Sequence, residues 1–444
     1  MTLTADATEY REALDALSAR GRFGIRLGLG RTRALLRELG HPEREVRGAL
    51  VAGTNGKGSV LALAGSALRT AGLRVGETPK PHLVTYRERL QVDGRPVDAA
   101  TFARLVRDVL AAADRIPRRL GPPTEFELLT AVVFRWFAEE RIDVALVEVG
   151  LGGRLDATHA WDGGVAAITN VDLDHTDRLG PTIAHIAREK AAIIERGDLA
   201  VTGADGEARD IIARRARRMG APLTIVEPAS VLDVDRDGIV VDLPRLGRTQ
   251  VGLRGRHQAA NVAVADAILD ALETAGIAGA DADARRAGFA SVRWPGRLEL
   301  LEVAGREVLL DGAHNPAGAA TLARAVDELR PFLRPGRVSI LAAAMADKDV
   351  DGIVASSRGS AALAGARLVA TQVEAARAMP AEELAARWRA AGHADVVAIA
   401  ELPRALEAAL DGPAGPLVVT GSLYLVGAVR ARFVDDPLLA DPVS

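Results

Sequence analysis

The sequence contains no cysteine, and this absence removes several chemistries at once. Disulfide bonds, a thiolate nucleophile and cysteine-ligated zinc are excluded, and the composition fits a chain made in a reducing compartment, so we expect a cytoplasmic protein. Long apolar runs are also missing. No stretch of about 18 apolar residues occurs, and the charged segment from Met1 to Arg22 lacks the apolar core of a signal peptide. We therefore expect neither a membrane span nor a secretion signal.

An excess of charge of either sign is missing as well. The chain has 56 basic and 59 acidic residues and a net charge of −3, which gives no reason to expect nucleic acid or an anionic membrane as a partner. A small-molecule substrate is the better expectation, and we expect a monomer. What the chain does have is size, because 444 residues, 48% of them hydrophobic, are enough for two domains with separate cores.

Short apolar runs alternate with helical patterns along most of the chain. This order indicates parallel strands joined by crossover helices, and hence an open α/β sheet in each domain. Strands are predicted at 49–52, 73–75, 144–147, 165–168, 307–310, 338–341, 368–370 and 417–420. Helices are predicted at 59–71, 99–113, 125–139, 183–195 and 258–274, with a hairpin-like insertion at 229–251.

The stretch around Pro295 and Gly296 interrupts this pattern and indicates a linker. The predicted domains are therefore 1–293 and 298–444, joined by a linker at 294–297. The second domain is the smaller of the two. The tail from Val434 to Ser444 is expected to fray.

One glycine-rich segment carries the clearest chemical signal. Glycines let backbone N–H groups converge on phosphate oxygens, a lysine adds a full positive charge, and a serine offers a hydroxyl to Mg²⁺. Val51 and Gly58 break the usual spacing of such loops, and the alternative is a glycine turn with an exposed lysine. The strand before it and the helix after it favour a loop that binds ATP with Mg²⁺. Its residues are Gly53, Thr54, Asn55, Gly56, Lys57, Gly58 and Ser59.

Two further segments place acidic side chains just after predicted strands. A carboxylate at the carboxyl end of an α/β strand points into the ligand crevice, so Glu148 could hold magnesium, or it could form a strand-end salt bridge. The run from Asn170 to Asp177 contains three aspartates and His175. That run suits a metal or phosphate site, and it would equally suit a capped turn.

Taken together, these segments resemble the folylpolyglutamate synthase and dihydrofolate synthase family of the Mur ligase superfamily. The matching stretches are AGTNGKGS at Ala52 to Ser59, EVGLGGRLDAT at Glu148 to Thr158, TNVDLDHTDRLG at Thr169 to Gly180, AREKAAII at Ala187 to Ile194, GRHQAANVAVA at Gly255 to Ala265, DGAHNPAG at Asp311 to Gly318 and TGSLYLVG at Thr420 to Gly427. The resemblance implies a P-loop ATPase domain with a parallel-rich central sheet, a smaller Rossmann-like α/β domain and an active site between them.

The resemblance also implies a reaction. ATP would transfer its γ-phosphate to a carboxylate, and the amino group of L-glutamate would then attack the acyl phosphate to give an amide, with positioning and charge neutralisation as the main catalytic effects. The acid would be dihydropteroate or a folate. Two alternatives stay open: a ligase of the same type acting on a non-folate acid, and an ATP-driven switch.

Site residues follow from the resemblance by position. Lys57 would contact the phosphates, while Ser59, Glu148 and His175 would serve magnesium. Lys190 matches a lysine that family members carry as a carbamate, the alternative being a salt-bridged helix lysine. ATP would be bound by Asn261, Arg297 and Asp311, glutamate by His314 and Ser422, and the pterin side of the acid by Thr124, Phe126, Glu127 and Asp156. From the residues alone, Thr124 could instead cap a helix with Phe126 in the core.

One position departs from the family pattern. Where many relatives have a serine that binds magnesium, this chain has Lys80, before Pro81, His82 and Leu83. A protonated lysine cannot bind a metal, so its ammonium group could instead lie near the phosphates and replace part of the metal's charge. The alternative is that Lys80 points to solvent and that Thr78 or water fills the gap.

Overall fold

The computed structural model describes residues 5–21, 28–375 and 377–442. Its α-helices are α1 (Ala5–Gly21), α2 (Gly30–Glu38), α3 (Lys57–Thr70), α4 (Ala99–Ala113), α5 (Glu125–Glu140), α6 (Thr176–Leu179), α7 (Ile183–Ala191), α8 (Gly206–Met219), α9 (Gln258–Thr274), α10 (Ala282–Ser291), α11 (Pro316–Leu329), α12 (Val350–Ser357), α13 (Ala381–Ala390), α14 (Leu402–Leu410) and α15 (Leu423–Phe433). In the described part of the chain, no helix is both long and apolar enough to cross a membrane.

Short strands alternate with these helices through most of the chain. The strands are β1 (Gly48–Ala52), β2 (Val75–Thr78), β3 (Gln91–Val92), β4 (Arg95–Pro96), β5 (Val144–Glu148), β6 (Gly164–Ile168), β7 (Leu199–Thr202), β8 (Leu223–Ile225), β9 (Ser230–Val234), β10 (Ile239–Leu243), β11 (Gly247–Val251), β12 (Glu299–Val303), β13 (Arg306–Leu310), β14 (Ser339–Ala342), β15 (Arg367–Ala370), β16 (Val396–Ala398) and β17 (Leu417–Thr420).

The chain forms two compact units that interleave along the sequence. The first unit takes Met1–Ala229, Ala260–Ser291 and Pro437–Ser444, and the second takes Ser230–Ala259 and Val292–Asp436. The insertion near 229–251 thus packs with the second unit, although it precedes the expected linker by about forty residues. The contiguous domain bounds 1–293, 294–297 and 298–444 stay a prediction.

The first unit contains an eight-stranded sheet in the order β4-β3-β2-β5-β1-β6-β7-β8. Its strands are parallel except for β3 and β4, which pair in antiparallel fashion at one edge. After β1 the chain passes through α3 to β2 on one side, whereas β6, β7 and β8 lie on the other. The carboxyl end of β1 is therefore a switch point of the sheet, the place where open α/β sheets bind ligands.

The second unit contains a six-stranded sheet in the order β12-β13-β17-β14-β15-β16 and a three-stranded antiparallel sheet of β9, β10 and β11. In the larger sheet only β12 is antiparallel to its neighbour. Each unit has its own apolar core. The α/β class and the parallel-rich sheets predicted from the sequence are confirmed.

Two predicted elements were displaced. The strand expected at 73–75 begins at Val75, because the N–H of Leu73 closes the end of α3 on the carbonyl of Leu68 and Gly72 takes φ +84°. The helix expected to reach Glu195 ends at Ala191. Just past the helix end, the Arg215 side chain donates hydrogen bonds to the carbonyl oxygens of Ala192 and Ile194.

The described part of the tail, up to residue 442, is held at two positions, contrary to the expectation that it would fray. The buried guanidinium of Arg87 donates to the carbonyl oxygens of Leu438 and Ala440, at 3.4 and 2.7 Å. Because residues 437–444 belong to the first unit, these bonds lie within that unit. The chain thus enters the first unit a third time, after completing the second.

Candidate active site

The glycine-rich loop connects β1 to α3 at the switch point of the first sheet. Gly53 and Gly56 take φ values of +155° and +81°, which favour glycine. A β-carbon at Gly53 would lie 1.8 Å from Thr169 Oγ1, and one at Gly56 would lie 2.2 Å from Asn261 Oδ1. Gly53 therefore needs glycine for space as well as for conformation, whereas a side chain at Gly56 would require the Asn261 side chain to move.

The segment that follows β6 forms hydrogen bonds with this loop. The side-chain oxygen of Asn170 accepts a hydrogen bond from the N–H of Asn55 at 2.9 Å. The backbone carbonyl of Asn170 accepts one from the N–H of Thr54. The hydroxyl of Thr169 donates to the carbonyl of Asn55, and Thr54 exchanges two hydrogen bonds with the backbone of Asp172. The loop and the acidic run that follows β6 are thus one hydrogen-bonded structure.

Lys57 lies at the first position of α3, with its side chain folded back over the loop. Its ammonium group donates to the carbonyl oxygens of Gly53 and Thr54 at 3.0 and 3.2 Å. It also lies 3.9 Å from Glu148 Oε1, at the end of β5. Ser59, which was expected at a magnesium site, is buried in the first turn of α3.

Glu148 is buried, and two cations lie against it. Its Oε2 accepts a hydrogen bond from the backbone N–H of Lys80 at 2.8 Å, and its carbonyl oxygen accepts one from the Lys80 ammonium. That ammonium lies 5.4 Å from the centre of the Phe126 ring. Burial lowers the pKa of Lys80 to about 8, against the opposing effects of Asp156 and Glu148. The alternative in which Lys80 points to solvent is wrong.

Lys190 approaches the loop from α7. It is only 5% exposed, and its ammonium donates to the carbonyl of Gly53 at 2.9 Å. Burial and the charge of Lys57 lower the pKa of Lys190 to about 7, with Asp174 and Asp156 acting in the opposite direction. No carboxylate within 4 Å of this ammonium appears among the ion pairs of the described residues, so the salt-bridged helix lysine is not what the structure contains.

His175 follows Asp174 at the start of the short helix α6. It takes a left-handed backbone conformation, its ring is 44% exposed, and its Nε2 lies 3.8 Å from Asp174 Oδ2. The expected magnesium set, Ser59, Glu148 and His175, includes only two residues of the metal-binding types His, Cys, Asp and Glu. Among the described residues, no three such side chains cluster so that they alone could hold a metal.

The residues expected on the pterin side lie near the start of α5. Thr124 and Glu127 cap this helix reciprocally, and Glu127 also accepts two hydrogen bonds from Arg31. Phe126 is only half-buried and does not belong to the apolar core. Asp156 is buried, and its two oxygens accept hydrogen bonds from Leu151 and Thr158. Helix capping by Thr124 is confirmed, whereas Phe126 remains exposed enough to contact a ligand.

Phe126 and Lys80 line a small pocket together with Arg89, to which the sequence assigned no role. Arg89 donates from Nε to His82 Nδ1 at 2.9 Å and lies 5.1 Å from the centre of the Tyr86 ring. Burial, and to a smaller extent the charge of Arg89, lowers the pKa of His82 to about 3, so the His82 ring is neutral and its Nδ1 accepts. The pocket is lined by Thr78, Lys80, Arg89, Phe126, Leu129, Thr130, Val133, Phe134, Val147 and Thr158.

In the second unit, four predicted site residues lie at carboxyl ends of strands or next to them. Asp311 follows β13 and accepts hydrogen bonds from the N–H groups of Leu298 and Ala313. Burial raises the pKa of Asp311, and the nearby Arg297 opposes that rise. These contacts join Arg297 and Leu298, at the end of the expected linker, to the loop after β13.

The other two predicted residues lie close to glycine-containing loops of the same sheet. His314 Nδ1 donates to the carbonyl of Gly312 at 2.7 Å. Ser422 precedes α15 and is 2% exposed, and its hydroxyl has no hydrogen-bond partner among the described residues. A buried hydroxyl without a partner at a helix N-terminus suits an anionic ligand.

Comparison with known proteins identifies the family. Residues 51–269 match the Mur ligase middle domain, and residues 296–423 match the Mur ligase glutamate ligase domain. A dihydrofolate synthase/folylpolyglutamate synthase of Bacillus subtilis is 32% identical over 96% of this chain and 99% of its own. The chain belongs to the dihydrofolate synthase/folylpolyglutamate synthase family. It is accordingly a ligase enzyme, as its sequence predicted.

Solved structures of family members agree with this assignment. The Mycobacterium tuberculosis folylpolyglutamate synthase complexed with ADP and AMPPCP has a TM-score of 0.85 and 33% identity, over 97% of this chain and all of the other. An Escherichia coli FolC in complex with DHPP and ADP has a TM-score of 0.81 and 31% sequence identity, and the match covers 95% of this chain and 97% of the other. A bifunctional folylpolyglutamate synthase/dihydrofolate synthase with Mn, AMPPNP and L-glutamate bound has a TM-score of 0.80 and 28% sequence identity. That match covers 97% of this chain and 99% of the other.

Proposed function

We propose that this chain uses ATP and Mg²⁺ to join L-glutamate, through an amide bond, to the carboxylate of a folate-type acid. The acid is dihydropteroate, a tetrahydrofolate that already carries glutamate, or both. One observation carries the proposal: Lys57 bonds to the carbonyls of the phosphate loop and lies 3.9 Å from the buried Glu148. The phosphate loop and a strand-end carboxylate therefore meet at the switch point of the sheet. The cytoplasmic location and the monomeric state predicted from the sequence belong to the same proposal.

The loop residues bind and orient the nucleotide. Backbone N–H groups of 56–59, at the N-terminus of α3, contact the phosphates, and Lys57 neutralises the charge that moves during transfer. The hydroxyl of Ser59 and the carboxylate of Glu148 are hard oxygen donors that fit Mg²⁺, and we assign His175 to the same ion. When bound, the ion supplies positive charge that stabilises the phosphates during transfer.

Transfer of the γ-phosphate makes an acyl phosphate, which the amine of glutamate attacks as inorganic phosphate leaves. We assign ATP contacts to Asn261, Arg297 and Asp311, and glutamate binding to His314 and Ser422. The unpartnered hydroxyl of Ser422 supports that assignment, because a carboxylate would satisfy it.

The acid is assigned to the pocket beside Phe126. Its flat ring can stack on a pterin or aryl group, with Thr124, Glu127 and Asp156 shaping the surrounding loops through the bonds described above. Lys190 is assigned as a carbamate, because a lysine with a pKa near 7 has enough neutral amine to react with CO₂. The product is an anion next to Lys57.

The test is a product assay with the purified full chain. ATP, Mg²⁺ and L-glutamate are supplied with 7,8-dihydropteroate or with tetrahydropteroylmonoglutamate, and products are identified by mass. We expect at least one acid to gain a glutamyl residue with release of one ADP per residue added. ADP release that needs no acid, or an absence of glutamylated product from both acids, would contradict the proposal.

A further inference from the structure

The segment at 294–297 forms a tight turn that ends with Arg297. The N–H of Arg297 donates to the carbonyl of Trp294 at 3.3 Å, and Gly296 takes φ +68°. A proline in the second position and a glycine of positive φ in the third are typical of a type II turn. Residues 292–436 belong to the second unit, so the turn lies within that unit.

The side chain of Arg297 has no hydrogen-bond partner of its own. Its guanidinium donates no hydrogen bond to any residue that the structure describes, and it forms no ion pair with a described carboxylate. It lies beside Gly312, because a β-carbon at Gly312 would be 2.3 Å from Arg297 Nη1. The place of this guanidinium therefore depends on the backbone of the turn.

Two hydrogen bonds fix that backbone at Gly296. The carbonyl oxygen of Gly296 accepts from the N–H of Gly312 at 3.0 Å. The N–H of Gly296 donates to Glu299 Oε2 at 2.8 Å. The first bond joins two backbone groups, whereas the second depends on a single side chain. Glu299, at the start of β12, is therefore the side chain through which the turn is held.

Glu299 is itself held by Arg430, in the last turn of α15. Nε of Arg430 donates to both carboxylate oxygens of Glu299, each at 3.0 Å. The terminal nitrogens of Arg430 donate to Asp436 Oδ2, each at 3.4 Å. The side chains of Arg430 and Glu299 are 7% and 16% exposed. Because hydrogen bonds of ionised groups are roughly twice as strong as neutral ones, this carboxylate is a rigid acceptor for the turn.

Another carboxylate of the same strand shows the contrast. Glu302 also lies on β12, but its ion pair with Arg334 is exposed, with 56% and 51% of the two side chains accessible. Exposed charges are common on edge strands and contribute little to stability. Glu299 differs because its carboxylate is largely buried and bonds to the turn that carries Arg297.

We propose that Glu299, held by Arg430, is a positioning residue that keeps the guanidinium of Arg297 in place for the nucleotide. Glu299 and Arg430 act through the turn and do not touch ATP themselves. The inference rests on the proposed function, in which Arg297 contacts ATP. It adds the two side chains that determine where this arginine lies.

The test measures nucleotide affinity and stability in the same variants. Calorimetry gives the affinity of the full chain for AMPPNP with Mg²⁺, and thermal unfolding gives the melting temperature. The double variant Glu299→Met/Arg430→Met replaces both charges together, which is often neutral for stability. We expect a melting temperature near that of the wild type and an affinity about tenfold lower, the loss expected for one misplaced hydrogen bond to a charged group. Glu302→Met, the matched control, should change neither quantity.

Two single substitutions of Glu299 separate its reach from its charge. Glu299→Asp keeps the charge beside Arg430 but withdraws the oxygens from Gly296, so it should weaken AMPPNP binding. Glu299→Gln loses the charge but keeps one acceptor oxygen at full reach, so it should retain most of the affinity. A carboxylate that acts through its charge alone would give the opposite order, which would overturn the proposal. These two variants decide the question even if the double variant does not fold.

A double-mutant cycle tests whether the effect passes through Arg297. Arg297→Ala should weaken AMPPNP binding, and adding Glu299→Asp to it should cause no further loss, because the positioned side chain is gone. Fully additive losses would contradict the positioning role, since Glu299 would then act on the nucleotide by another route. Wild-type affinity in Glu299→Asp would contradict it too.

Turnover distinguishes failure of this inference from failure of the proposed function. Glu299→Asp should raise the KM for ATP and leave the KM for glutamate unchanged, a difference that a general loss of stability would not produce. A chain that shows the expected coupling in AMPPNP binding but forms no glutamylated product contradicts the proposed reaction and leaves the positioning role standing. Normal turnover with the same KM for ATP in Glu299→Asp and wild type does the reverse.

Discussion

The ammonium group of Lys190 donates a hydrogen bond to the carbonyl oxygen of Gly53 across 2.9 Å. A buried lysine of α7 therefore contacts the first residue of the phosphate loop. Its pKa of about 7, lowered first by burial and then by Lys57, means that the neutral amine is abundant at neutral pH.

The chemical prediction is a carbamate on Lys190. In ¹³C-labelled bicarbonate at pH 8, the wild-type protein should give a carbamate signal in the ¹³C NMR spectrum, because the neutral amine is the form that reacts with CO₂. The signal should decrease as the pH falls below about 7. Lys190→Arg should lack the signal, whereas Lys348→Arg should keep it. Its absence from the wild-type spectrum at pH 8 would count against the assignment.

The thermodynamic prediction concerns stability without CO₂. The pKa of Lys190 is about 7 in the folded chain and about 10.4 for a free lysine, so the unfolded chain binds more protons between these pH values. Stability should therefore increase with pH across this window. Lys190→Met should flatten the increase, measured as the urea midpoint from pH 6.5 to 10. Lys80 is shifted in the same direction and contributes equally to both proteins, so parallel wild-type and variant curves would contradict the prediction.

A third prediction concerns Gly56 in the phosphate loop. Gly56 and Gly72 have nearly the same φ, +81° and +84°, but a β-carbon at Gly56 would meet Asn261 Oδ1 at 2.2 Å and one at Gly72 would meet nothing within 4 Å. Gly72→Ala should cost about 1 to 2 kcal/mol through its left-handed conformation alone. Gly56→Ala should cost more and should also weaken ATP binding, measured by urea unfolding and by calorimetry. Equal effects at the two positions would show that Asn261 does not restrict the loop.

A fourth prediction concerns Ser422. Because its buried hydroxyl lacks a protein partner, Ser422→Ala should leave the free protein as stable as the wild type or slightly more stable. The same change should raise the KM for glutamate by about tenfold, the loss expected for a hydrogen bond to a charged group, with little change in the KM for ATP. Ser230→Ala, at an exposed position of the same unit, is the matched control. An unchanged KM for glutamate would remove Ser422 from the glutamate site.

Local sequence was sufficient to predict the phosphate loop and the elements on either side of it. The order of strand, glycines and helix depends on neighbouring residues, and the structure places Gly53 and Gly56 in the conformations that glycine favours. Glu148 was predicted to lie at a strand end for the same reason. The roles assigned to these residues in catalysis stay predictions.

Other features depend on pairings between distant residues and could not be predicted this way. Asn170 is more than a hundred positions from Asn55, and nothing in either segment specifies their hydrogen bond. The sequence assigned no role to Arg89, and only the fold brings Arg89 and Thr78 into one pocket with Phe126. The sequence does not determine the direction of Lys80, because a lysine side chain is long enough to reach either solvent or the interior.

The hydrogen bonds of Arg87 to Leu438 and Ala440 have a consequence for synthesis on the ribosome. Arg87 emerges early, but its two acceptors are made some 350 positions later, after every strand of the second unit. The first unit therefore completes its contacts last, although it begins to appear first. A fragment that stops at the expected linker would leave this buried guanidinium without those acceptors, so the nucleotide-binding half should be expressed with the rest of the chain attached.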